Sequence, residues 1–269
     1  MSIEILQFAF MQRALVAGIL TGSALSLLGV FVVLRKSAFF GDAVAHFAFA
    51  GVALGFLLAV DPIAAAVAVS VALALAIGYI QQRAPAQALD TLIGIFFSGA
   101  AAFGIFVIGL LRGYRADLFQ FLFGDIIAIA PADVWFAAGV SAITGLIFLL
   151  LWRSLFKITF NRETARVSGV PVALYDYLFL GLLAAVTAVS IKIIGIILVP
   201  ALLVVPAAAA KNISTSFRQM VIYAIVFGII SIITGLVGSF YLNTAAGATV
   251  VLVSILIFAV TFLLRLSGR

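Results

Sequence analysis

Residues 14–34 read ALVAGILTGSALSLLGVFVVL, an apolar run without a charge, closed by Arg35 and Lys36. A helix needs about 20 such residues to cross the ~30 Å hydrocarbon core of a bilayer. Alternation of apolar and polar residues, the mark of a barrel strand, is absent, so the run reads as a membrane-spanning helix. Outward from it, comparable runs follow along the chain. The second begins near Asp42 and ends before Asp61 and Pro62. Others cover about 63–80, 91–111, 133–152, 174–191, 193–210, 220–240 and 247–264. The stretch LFQFLFGDIIAI (118–129) is short for a crossing and is expected to be a half-helix or re-entrant piece, with Asp125 as a cap. The expected fold class is all-α: a polytopic integral membrane protein of eight or nine transmembrane helices with short loops, one membrane domain over residues 1–269.

Composition agrees. Of the 269 residues, 66% are hydrophobic and 9% charged, whereas soluble domains are about a quarter charged. The net charge of +6 sits in short connections rather than on one amphipathic stripe. That is the pattern of inside-facing membrane loops and excludes a nucleic-acid surface. Arg153, Lys157, Arg162 and Arg166 form the densest positive cluster and place their connection in the cytoplasm, as do Lys211 and Arg218 for theirs. The amino terminus has no basic n-region or cleavage site and reads as an interfacial lead-in to the first span. The chain has no cysteine, which removes disulfides and thiolate metal sites.

Inside the second run, FFGDAVAHFAFAGVALG (39–55), stand Asp42 and the chain's one histidine, His46. At i,i+4 they share a helix face. Carboxylate oxygen and imidazole nitrogen are both ligands for Zn²⁺ and Mn²⁺, yet two ligands make half a tetrahedral site. Two readings of the pair stand on the residues alone: metal contact in a path, or Asp42 as a helix cap at the membrane surface with His46 packed beside it. Asp90 suits a helix amino terminus, and Lys192 lies at an interface between spans. Pro200 and Pro206 each remove a helical hydrogen bond and are expected to kink the seventh run. Gly18 with Gly22, and Gly51 with Gly55, have the spacing that lets helices approach closely. In NRETARVSG, Asn161 is placed to cap a short helix that Gly169 stops before Pro171; an ordinary solvated loop is the alternative. No phosphate-binding GxxxxGK[ST] loop occurs, and no nucleophile-base constellation stands out, so an enzyme is not expected.

These motifs carry a resemblance. GSALSLLGVFVVLRKSAFFGDAVAHFAFAGVALG (22–55) resembles the permease subunit of bacterial zinc, manganese and iron ABC importers. Leu34, Arg35, Gly41, Asp42, His46, Gly51 and Gly55 fall on the family pattern, with Ala45 where serine is frequent. DTLIGIFFSG (90–99), GIILVPALLVVPAAAA (195–210) and AAGATVVLV (245–253) continue the likeness, with Gly195, Ala201, Leu202, Pro206, Ala207 and Gly247 on signature positions. LFGDIIAI also resembles a family stretch, in which Asp125 replaces a small polar residue.

The resemblance implies a permease in the bacterial plasma (inner) membrane, paired with a second copy of itself. It also implies cytoplasmic ABC ATPase subunits that hydrolyse ATP and an extracytoplasmic solute-binding protein that delivers the metal. No permanently bound cofactor is implied; the ion is cargo, with zinc ranked ahead of manganese and iron. Asp42 and His46 become transient ligands in the translocation path. Residues 161–169 become the coupling helix, with Asn161, Arg162, Glu163, Ala165 and Gly169 facing the ATPase. Pro200 and Pro206 shape the path, and Gly41, Gly51, Gly55, Gly195 and Gly247 serve helix packing. The rival readings are an ABC permease for a vitamin or siderophore and an ion-coupled secondary transporter.

Overall fold

The computed structural model describes residues 7–84, 88–111 and 129–267, and among them all regular structure is helical. The helices are α1 (Ala9–Leu34), α2 (Ala38–Leu58), α3 (Pro62–Arg83), α4 (Leu89–Leu110), α5 (Pro131–Phe160), α6 (Arg162–Val167), α7 (Val172–Ile194), α8 (Leu198–Ile213), α9 (Phe217–Leu242) and α10 (Ala246–Ser267). Eight are long and apolar enough to cross a membrane. The ninth apolar helix, α8, has 16 residues, a rise of about 24 Å. Residues 1–6 of the amino-terminal lead-in and, apart from Ile129, the 118–129 stretch with Asp125 lie outside the described residues, while α1 starts at Ala9, within the expected lead-in.

Local chemistry closes four of the described helices where they end. After α1, the Lys36 and Ser37 N–H groups donate to the Val33 and Val32 carbonyls (3.3 and 3.0 Å), with Lys36 in the left-handed region at φ 56°. This is a Schellman turn, which satisfies carbonyls that a helix terminus leaves free. The same pattern closes α2 at Ala59, α6 at Gly169 and α9 at Asn243. Helix α3 then starts on an Asp61 cap that accepts from the Ala64 N–H (2.7 Å), with Pro62 at its first position. Asp90 sits in the first turn of α4, as its sequence position implies.

Side-chain contacts fix the direction of each crossing. Arg35, at the end of α1, bonds Thr159 near the end of α5 and Asp176 near the start of α7. At the opposite face Lys192 Nζ meets Asp133 Oδ1 at 2.5 Å, joining the end of α7 to the start of α5. Phe8 and Phe240 rings pair at that face as well (6.3 Å). Helices α2 and α4 run parallel, with His46 against Phe97 and Gly104 against Phe49. Arg35, Lys36, Lys157, Arg162, Arg166 and Lys211 therefore gather at one face, which is the cytoplasmic one. The chain leaves α4 and enters α5 at the other.

Helices α1, α2 and α7 are mostly buried, while α5 and α10 stay largely uncovered. Leu149 on α5 is 74% exposed and Leu252 on α10 is 65% exposed. Side chains of that kind on outer helices are what hydrocarbon, not water, accommodates. Helix α5 extends to Phe160, past the expected end at 152, so much of the polar connection is helix projecting beyond the membrane. Near the cytoplasmic face Phe31, Phe148, Trp152, Phe179 and Phe217 interlock edge to face or tilted, binding α1, α5, α7 and α9 together.

The seventh run differs from expectation. It is not one span over 193–210. Gly195 holds φ 83°, ψ 159°, a conformation open essentially to glycine alone, and α8 begins only at Leu198. Pro200 thus lies in the first turn, where its missing N–H costs nothing and requires no kink. Pro206 is inside the helix and leaves the Leu202 carbonyl without its helical donor. The buried Ser26 hydroxyl of α1 donates to that oxygen at 3.4 Å. Gly29 of α1 and Gly41 of α2 lie against Leu203, where a β-carbon would meet the Leu203 backbone or side chain.

Candidate functional site

Helix α2 begins at Ala38 after Ser37, which places Asp42 inside the helix and not at its cap. The helix-cap reading of Asp42 is therefore ruled out. Around it Gly41, Ala43, Val44, Ala45, Phe47 and Ala48 are all buried, while Asp42 and His46 are only partly so. The two side chains, with Phe39 (71% exposed), mark a stripe of α2 that the described helices cover only in part.

The pair is arranged as two separate donors. His46 Nδ1 lies 3.1 Å from the Asp42 backbone carbonyl. A carbonyl only accepts, so Nδ1 is the donor, and in the neutral imidazole Nε2 is the nitrogen left to act as an acceptor or ligand. The Phe97 ring packs on the imidazole with centroids 4.4 Å apart and holds its orientation. The Asp42 carboxylate makes no hydrogen bond to another described residue. Among the described residues no group of three or more His, Cys, Asp or Glu comes together. One copy of the chain thus presents one oxygen donor and one nitrogen donor, half of a four-coordinate site.

At the cytoplasmic face, Asn161 Oδ1 accepts from the Thr164 N–H (3.0 Å) and Gly169 at φ 76° terminates α6, so NRETARVSG is a capped helix and not an irregular loop. Ala165 is fully buried with Ile158 and Val172, while Arg162, Glu163 and Val167 are exposed. Asp176 was not singled out by sequence reading. It takes Arg35 on one oxygen (3.0 Å) and Arg162 on the other, and Arg35 also stacks on Phe179 at 4.5 Å. Burial pushes the Arg35 guanidinium below its ordinary value, and the facing Asp176 opposes that fall; the group stays charged at physiological pH. An acid in the first turns of an apolar span was the visible signal. Its partners, 141 and 14 residues away, were not visible.

The remaining expected residues are dispersed. Gly51 and Gly55 face Ala66 and Pro62 of α3, with room for a β-carbon only at 2.6 and 2.8 Å from backbone. Gly195 forms the α7–α8 break, and Gly247 borders a small apolar cavity with Ala14 and Ile194 near the outer face. Pro200 and Pro206 lie on α8, packed behind α1 and α2.

Residues 7–265 match the model of the ABC 3 transport family. The chain is 36% identical to the manganese transport system membrane protein MntC of Halalkalibacterium halodurans, over 96% of this chain and 88% of that one. It is 38% identical to the high-affinity zinc uptake system membrane protein ZnuB of Haemophilus influenzae, over 95% and 99% respectively. A chain of PsaBC from Streptococcus pneumoniae, solved in complex with Fab, superposes with a TM-score of 0.86 at 34% identity, covering 97% of this chain and 94% of that one.

Proposed function

The chain belongs to the ABC 3 transport family, and from that premise we propose that it is the membrane permease subunit of an ATP-driven importer of divalent metal ions. Its multi-pass helices lie in the bacterial plasma membrane. What carries the metal reading is the partly exposed stripe of α2, where the Asp42 carboxylate, without a hydrogen bond to another described residue, and His46 Nε2 share one face. A second copy across that face supplies the same pair, giving two oxygen and two nitrogen donors. Cytoplasmic ATPase subunits provide the hydrolysis, docking on α6, and an extracytoplasmic binding protein delivers the ion.

In this mechanism the four donors replace part of the ion's hydration shell while the copies are together. They release the ion when ATP-driven movement separates them. Binding must be weak or brief, since an ion held tightly does not leave. The donor set suits Zn²⁺, Mn²⁺ and Fe²⁺ alike. Relatives named for zinc and for manganese stand at nearly equal identity and give the zinc-first ranking no support.

Uptake by the reconstituted complex tests the reading, comparing wild type with Asp42→Ala and His46→Ala at matched expression. Each substitution removes two of four ligands from the paired site and is expected to cut uptake at least about tenfold. Undiminished uptake of all three metals by both variants defeats it. Transport of an organic substrate with no dependence on His46 would favour a vitamin or siderophore permease instead.

A further inference from the structure

We propose that Asp176 is a positioning residue that transmits movement of α6 to the metal-contacting helix α2, through one carboxylate shared by Arg162 and Arg35. The proposal rests on the importer reading above. Asp176 is largely buried, its side chain 12% exposed. Among the described residues it is the only carboxylate paired with either guanidinium. Arg162 belongs to α6, the element that the importer reading docks on the ATPase. Arg35 belongs to the Schellman turn between α1 and α2, where the Arg35, Lys36 and Ser37 N–H groups are tied to the Phe31, Val33 and Val32 carbonyls. The Ser37 hydroxyl also bonds the Val32 carbonyl at 3.3 Å. That turn has no slack, so displacing Arg35 displaces the start of α2, and Asp42 lies in the next turn of the helix.

Two further contacts make Arg35 a fixed point. Its Nε donates to Thr159 Oγ1 at 3.1 Å, and Phe179 lies under the guanidinium. A planar fork held by directed bonds transmits displacement better than a flexible ammonium does. The apolar contact of α6 with the membrane helices is small: Ala165 with Ile158 and Val172, flanked by Val170 and Tyr175. Cutting the carboxylate out leaves two guanidiniums unpaired beside a cavity of about 300 Å³ lined by Arg35, Lys36 and Arg162. Such a charge cluster repels itself, so α6 is then free to move without α2.

The test measures metal imported per ATP hydrolysed by the full complex in proteoliposomes, with ATPase-subunit binding measured in parallel. Asp176→Asn is isosteric and is expected to keep ATPase binding and hydrolysis while lowering the ratio about tenfold. Asp176→Glu, which retains the charge, is expected to restore most of it. Arg35→Lys, which keeps charge but loses the fork, is the second variant and is also expected to lower the ratio. A purely structural role would reduce assembly, hydrolysis and uptake together and leave the ratio unchanged. An unchanged ratio in whichever of Asp176→Asn and Arg35→Lys assembles overturns the proposal. Absence of ATP-driven metal uptake by the wild-type complex overturns the importer reading itself, and the proposal with it.

Discussion

Pro206 shows how a single residue is accommodated inside a membrane core. Its ring removes the donor for the Leu202 carbonyl, and in hydrocarbon no water replaces it. Ser26, on a different helix, donates to that oxygen at 3.4 Å. Ser26→Ala should cost about 1 kcal/mol of stability. In a Pro206→Ala background the helical N–H returns to Leu202, and the cost of Ser26→Ala should largely vanish. A double-mutant cycle on thermal unfolding in detergent reads this directly, and equal costs in both backgrounds would refute it. The same residue-scale logic applies to His46: its backbone bond through Nδ1 decides which nitrogen is offered to a ligand.

At the scale of elements, α6 is a helix of 6 residues, too short to persist by propensity alone. It exists because its start, its end and one face are each held. Asn161 caps it, Gly169 closes it, and Ala165 is buried against α5 and α7. Asn161→Ala should remove about 1 kcal/mol and raise hydrogen exchange of the 164–168 amides roughly fivefold. The membrane helices should be unaffected, and unchanged exchange at 164–168 would show that the cap is dispensable. Helix α8 is set apart by the glycine conformation at 195, which ends α7 and lets the chain turn back as a shorter helix. Hydropathy reads 193–210 as one continuous run because apolar residues continue through the break. The left-handed backbone at Gly195 leaves no mark in hydrophobicity.

For the whole molecule, the partly exposed stripe of Phe39, Asp42 and His46 is the surface on which the importer reading expects a second copy. The chain has no cysteine, so a single introduced thiol is unambiguous. Phe39→Cys should crosslink copy to copy with a short bifunctional reagent, whereas Leu149→Cys on lipid-facing α5 should not. Equal crosslinking at the two positions would place the dimer contact elsewhere.

Local composition was enough for the all-α membrane fold class and for gathering the basic connections on one side, while it left the number of crossings at eight or nine. Those follow from the length of apolar runs and the position of Lys and Arg, properties of local composition that a bilayer converts directly into topology. Spacing also put Asp42 and His46 on one helix face and offered Asn161 and Gly169 as the ends of a short helix, with a solvated loop as the alternative that the capped α6 removes. It took helix packing to show that Asp42 lies within α2 on a stripe the described helices cover only in part, that Ser26 answers Pro206, and that Asp176 joins Arg35 to Arg162. Each of those is a contact or its absence between segments far apart in the chain. Such contacts depend on how helices pack, and neither hydropathy nor spacing along one helix encodes that.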